Sequence, residues 1–214
     1  MAYNVNGGCA SIRFLVMGPI ENNVYLIDDG TTAFVVDPTC DAARIVKEAG
    51  DRGIDAIVLT HAHWDHVGGA KALRDLTGAR VIASEVDAPV ITGERKLDPS
   101  HRPFEPCPVD EAVADGDIVE IGAMKWKVLE TPGHTPGSMC LFLDSSENEV
   151  EKAPVLVSGD TLFAGAHGRT DFVGGNPAAM SASLKRLAEL PEETIVLPGH
   201  NSITTIAREK RWIR

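Results

Sequence analysis

Four short apolar runs in this chain each stop on a turn that carries a histidine or an aspartate. Residues 54–60 (Ile-Asp-Ala-Ile-Val-Leu-Thr) run into His61, and residues 125–130 into Thr131-Pro132-Gly133-His134. Residues 155–158 run into Gly159-Asp160, and residues 194–197 into Pro198-Gly199-His200. The first of these runs, over 54–60, is of the kind that suits a strand buried on both faces. Strands covered on both faces belong to a layered α/β fold, because something apolar has to lie on each side of the sheet. The glycines and prolines that follow permit tight turns that re-aim a side chain at the carboxyl edge of a sheet, where such folds build their sites.

The rest of the chain is consistent with that architecture. Residues 11–17, 23–28 and 31–37 read as strands, with Asp28-Asp29-Gly30 as the hairpin turn between the last two. Ala42, Ile45, Val46 and Ala49 recur at helical spacing, and Gly50 and Gly53 close the segment. A helix over 70–76, a strand over 80–83 and a short helix over 85–91 follow. Residues 92–108 hold Pro99, Pro103, Pro106 and Pro108 with little periodicity, which predicts a loop and a candidate lid. Beyond it come strands over 117–121 and 138–143, a polar acidic turn over 145–152 and a helix over 177–190. Strand pairs followed by helix and strand occur in both halves. The expectation is one domain spanning 1–214, built of two similar halves with the sheets sandwiched between helices.

His61-Ala62-His63-Trp64-Asp65-His66 puts four candidate metal ligands within six residues. With His134, Asp160 and His200 from the other strand ends they make seven nitrogen and oxygen ligands. That is too many for one tetrahedral ion but suits two ions that share a carboxylate. Cys9, Cys40, Cys107 and Cys140 are scattered and stand at none of these turns. They read as reduced thiols, and the donor set favours Zn²⁺, Mn²⁺ or iron over thiolate-seeking metals. His101, in the proline-rich loop, reads as a structural residue; His167, seven residues past Asp160, is as readily a border residue of the site as a bystander.

The chain carries a formal charge of −11, with no Lys/Arg-rich tract. It therefore has no electrostatic footprint for nucleic acid or an anionic membrane. No run approaches the ~20 apolar residues of a membrane span, and the N-terminus lacks the pattern of a signal peptide. A cytoplasmic enzyme acting on a small molecule is expected.

These motifs resemble the metallo-β-lactamase fold superfamily, and within it the glyoxalase II-like hydrolases. The resemblance runs from about Arg13 to Arg208. Its markers are residues 60–69 (Thr-His-Ala-His-Trp-Asp-His-Val-Gly-Gly), residues 131–138 (Thr-Pro-Gly-His-Thr-Pro-Gly-Ser), residues 158–163 (Ser-Gly-Asp-Thr-Leu-Phe), residues 168–172 (Gly-Arg-Thr-Asp-Phe) and Leu197-Pro198-Gly199-His200. It implies an αββα sandwich, with one metal on His61, His63 and His134, the other on Asp65, His66 and His200, and Asp160 bridging them. It implies hydrolysis of a thioester such as S-lactoylglutathione, with Asp65 either a ligand alone or also a proton acceptor. Asp160 stands where the zinc-cysteine β-lactamases carry a cysteine, which argues against antibiotic hydrolysis. Glyoxalase II proper continues into a helical glutathione-binding domain, and this chain stops at Arg214. Arg169 is the candidate for gripping a substrate carboxylate, a salt bridge to Asp171 being the competing role. Persulfide dioxygenases are similar too, including the Gly-Arg-Thr-Asp-Phe segment. That likeness implies a single iron on His61, His134 and Asp160. Lactone or phosphoester hydrolysis on the same ligand set is the other alternative.

Overall fold

The computed structural model describes residues 2–7, 10–96, 98–144 and 153–213, so Cys9 and the acidic turn expected over 145–152 lie outside the described residues. Thirteen strands among them form two sheets. The first contains β1 (Ala2–Gly7), β2 (Ala10–Met17), β3 (Asn22–Asp28), β4 (Ala33–Val36), β5 (Ala56–Leu59), β6 (Arg80–Ser84) and β7 (Glu111–Val113), side by side in chain order. Strands β1 to β4 pair antiparallel, and β4 to β7 parallel. The second sheet contains β8 (Ile118–Ile121), β9 (Met124–Glu130), β10 (Met139–Leu143), β11 (Val155–Gly159), β12 (Ile195–Pro198) and β13 (Thr204–Thr205), in the order β13-β12-β11-β10-β9-β8. Only β11 and β12 run parallel there.

Alternation along each strand sorts the side chains into layers. Phe34 and Val36 of β4, with Val58 of β5, face the second sheet and pack with Trp126, Val128, Leu141 and Val157. The Phe34 and Trp126 rings meet edge to face at 5.6 Å. Val35, Ile57 and Leu59 point the other way and pack with Ile45 of α1 (Ala42–Ala49) and Leu73 of α3 (Ala70–Thr77). Leu129, Phe142, Leu156 and Val196 cover the outer face of the second sheet with Met180, Leu184 and Leu187 of α5 (Pro177–Leu187). The result is the expected αββα sandwich. Each fully buried apolar side chain contributes about 1.5–3 kcal/mol, which is why central strands this short are stable.

Three further helices are single turns: α2 (Trp64–Val67), α4 (Ala88–Ile91) and α6 (Ile206–Glu209). Strands β1, β7 and β13 and helices α2 and α6 are absent from the sequence reading, since two to six residues carry too little periodicity to register. The described residues of 92–108 contain no helix or strand, as expected of a loop. Among the described residues no helix is long and apolar enough to cross a membrane. Cys40, Cys107 and Cys140 are free thiols. Burial pushes Cys107 and Cys140 up to about 11, so both stay protonated and inert.

Candidate metal centre

The seven predicted ligands converge on the carboxyl edges of the two sheets. β5 delivers His61, and the α2 turn that follows carries Asp65 and His66, both buried. The turns after β9, β11 and β12 deliver His134, Asp160 and His200. Their donor atoms form two clusters, His61 with His63 and His134, and Asp65 with His66 and His200, each within 4.8 Å. Asp160 lies between them: Oδ1 is 3.4 Å from His66 Nε2, and Oδ2 is 3.5 Å from His134 Nε2 and 3.6 Å from His200 Nε2.

A second set of contacts turns the imidazoles. His66 Nδ1 donates to Asp37 Oδ2 at 2.8 Å, His134 Nδ1 to the Arg169 carbonyl at 2.7 Å, and His200 Nδ1 to the Ile20 carbonyl at 3.2 Å. Thr60 Oγ1 donates to Asp37 Oδ2 at 2.7 Å, so His61 Nδ1, 3.0 Å from that hydroxyl, is the donor to it. Once its Nδ1 holds the proton, each of these four rings aims the Nε2 lone pair inward, which is how metal-binding histidines are oriented. His63 is turned the other way, with Nδ1 2.8 Å from His134 Nε2.

The electrostatics match this arrangement. Burial and then the neighbouring imidazoles keep His61 neutral and hold His63 at about 3; burial likewise lowers His134. Burial opposes charge on Asp65 and Asp160 as well. Hydrogen bonds from His200 and His66 nevertheless hold Asp65 far below the carboxylate range, and the charge on His66 holds Asp160 below it. His61 Nε2 and Asp160 Oδ1 are buried without any hydrogen-bond partner. A buried imidazole nitrogen and a buried carboxylate oxygen left without partners cost stability unless something electron-poor satisfies them. The residues therefore fit divalent cations. Two glycines permit the crowding. A Cβ on Gly199 would sit 2.4 Å from Asp160 Oδ1 and 2.7 Å from His66 Cε1, and one on Gly168 would sit 2.0 Å from the Asp160 carbonyl oxygen.

Three supporting residues escaped the sequence reading. Asp37 orients His66 directly and His61 through Thr60, and takes a third bond from Thr60 N at 2.8 Å. Asn22 Nδ2 donates to Asp65 Oδ2 at 2.9 Å. Asp87 accepts from Ala62 N at 2.9 Å, Thr135 Oγ1 at 2.8 Å and Gly137 N at 3.1 Å, which ties the His61 and His134 loops together. Asp37 and Asp87 both follow apolar strands of the first sheet, the signal that singled out Asp160, but they read as the last residue of the strand over 31–37 and as part of the short helix over 85–91.

The clusters open into a cavity of about 500 Å³ walled by Ile20, Trp64, Phe163 and Phe172. The 92–108 loop reaches this cavity through His101, whose ring packs 5.2 Å from that of His63 and whose Nε2 is buried without a partner. His167 lines the wall and stacks on Trp212 at 6.3 Å. Neither joins a ligand cluster among the described residues. Arg169 also lines the cavity, with its guanidinium forked onto Asp171 at 2.8 and 2.7 Å.

The sequence profile of the metallo-beta-lactamase superfamily matches residues 17–200. A hydroxyacylglutathione hydrolase of Cereibacter sphaeroides is 37% identical over 192 residues, covering 88% of this chain and 66% of the relative. Among solved structures, the BLEG-1 B3 metallo-beta-lactamase aligns with a TM-score of 0.80 at 32% identity, over 94% of this chain and 97% of that one. TTHA1623, in a di-iron-bound form, aligns with a TM-score of 0.75 at 34% identity over 92% and 96%. ETHE1 from Myxococcus xanthus aligns with a TM-score of 0.75 at 31% identity over 94% and 81%.

Proposed function

The chain belongs to the metallo-β-lactamase superfamily, and from that membership and the geometry of the centre we propose that it is a two-metal hydrolase of thioesters, with S-lactoylglutathione and related hydroxyacyl thioesters as the substrate class. The observation that carries the reading is Asp160, suspended between two three-residue donor clusters with one carboxylate oxygen unpartnered. His61, His63 and His134 would hold one ion and Asp65, His66 and His200 the other, with Asp160 shared. Zinc is the first candidate, iron and manganese the others. Divalent ions, when bound, supply Lewis acidity and a water of lowered pKa.

The protein's own groups do the rest. Asp65 stays ionised at neutral pH under the hydrogen bonds of His200, His66 and Asn22, which suits its carboxylate to ligate a cation and to orient the attacking water by accepting a hydrogen bond from it. Ile20, Phe163 and Phe172 give the acyl half of the substrate an apolar wall to pack against. A thiolate leaves without needing a strong acid, which agrees with a cavity whose carboxylates are both held ionised.

Elemental analysis of the purified protein, followed by turnover of S-lactoylglutathione, tests the reading. Two ions per chain and thioester hydrolysis abolished by chelation are expected. One iron per chain with oxygen consumption on glutathione persulfide would overturn it. So would hydrolysis of a β-lactam, a lactone or a phosphoester with none of thioesters.

A further inference from the structure

Two guanidinium groups face the cavity, and their surroundings differ. Arg169 is neutralised, with both carboxylate oxygens of Asp171 on its fork and its Cζ 4.3 Å over the Phe172 ring. Arg102 lies with its Cζ 4.2 Å over the Trp64 ring and has no carboxylate partner among the described residues. An arginine stacked by its face keeps its N–H donors free at the edge. Trp64 stands in the chain between the ligands His63 and Asp65, so the stack ties Arg102 to the metal-binding turn. The loop beneath it is pinned. Asp98 Oδ1 accepts from Ser100 N at 2.9 Å and Oγ at 2.6 Å, and His101 N donates to the Asp98 carbonyl at 2.9 Å. Pro103 further restricts the Arg102 backbone.

We propose that Arg102 is the anion-recognising residue of this cavity: its guanidinium edge takes a carboxylate or phosphate of the substrate while its face rests on Trp64. The thioester is taken from the proposed function; the anion contact does not depend on it. A chain of net charge −11 repels anions at long range, and an uncompensated cation beside the metal centre offsets part of that repulsion for an anionic substrate. A carboxylate arriving at Arg169 must first displace Asp171. At Arg102 it gains charge-assisted hydrogen bonds and breaks none within the protein.

The test uses the holoenzyme and three thioesters of one acyl group: with glutathione, which carries carboxylates, with coenzyme A, which carries phosphates, and with neutral N-acetylcysteamine. In Arg102→Ala the ratio of kcat/KM on an anionic thioester to that on the neutral one is expected to fall roughly tenfold to a hundredfold, through KM. Arg102→Lys should recover part of the ratio. Whichever of the glutathione and coenzyme A ratios falls identifies the anion. In parallel, calorimetry compares glutathione with its dimethyl ester; the wild type should prefer the acid and Arg102→Ala should lose that preference. If no thioester is turned over, the hydrolase reading fails while the calorimetry still decides the role of Arg102. Ratios and a binding preference in Arg102→Ala equal to those of the wild type would overturn the proposal.

Discussion

Replacing Asp37 by asparagine should strip metal from the centre while leaving the fold nearly intact. Asp37 accepts three hydrogen bonds, from Thr60 N, Thr60 Oγ1 and His66 Nδ1, at 2.7–2.8 Å. Its φ is +50°, a left-handed conformation that asparagine adopts as readily as aspartate and alanine does not, so the amide isolates the chemistry from the backbone. The amide oxygen can keep Thr60 N. The amide nitrogen, in the place of Oδ2, then confronts two donors. Thr60 can rotate its hydroxyl and donate to His61, but that moves the His61 proton to Nε2, and His66 has to make the same change. One histidine of each cluster would then point a proton where it should point a lone pair. Loss of a charged acceptor costs about 1.5–3 kcal/mol, or a Tm drop of roughly 3–12 °C in a chain of this size. Loss of a metal-orienting partner typically costs about 10–100-fold in affinity. Dialysis of the wild type and Asp37→Asn against graded chelator, with elemental analysis of what remains and calorimetric unfolding of the metal-free proteins, measures both. An Asp37→Asn protein that retains its metal as tightly as the wild type would refute the tautomer argument.

Two further predictions follow from the same contacts. In the metal-free protein, burial lowers His61, His63 and His134, and these contribute stability that is complete above about pH 6.5 and lost as pH falls. Burial works the same way on His66 and His200, but Asp160 and Asp37 raise the first and Asp65 and Asp160 the second, so these contribute stability complete below about pH 6.5 and lost as pH rises through their folded pKa values. Denaturant titration of chelated protein should therefore find a stability maximum near pH 6.5, and a monotonic profile would contradict the assignment. Gly199→Ala should lose most of its metal at a cost of about 1–3 kcal/mol, because the new methyl group meets Asp160 and His66 together; full metal content by elemental analysis would show that the two loops are free to part.

Much of the candidate centre was legible because its donor residues are local signals repeated. His61, His63, Asp65 and His66 lie within six residues, and His134, Asp160 and His200 each stand just past an apolar strand. The layered fold was legible for a related reason: strands of four to seven residues buried on both faces leave continuous apolar runs. What went unread has a common character. Asn22 reaches Asp65 across 43 positions, Asp37 reaches His66 across 29, and Asp87 reaches Thr135 across 48. No spacing rule links such pairs.

Residue type and order therefore dictated which side chains gather at the candidate metal centre, since donor chemistry and strand-end placement are properties of a short stretch of chain. Folding decided which nitrogen each imidazole presents, which carboxylates stay ionised, and which of two arginines keeps its donors free. Those outcomes depend on hydrogen bonds of about 2.7–3 Å and on burial, and both exist only once segments far apart in the chain have been packed against one another.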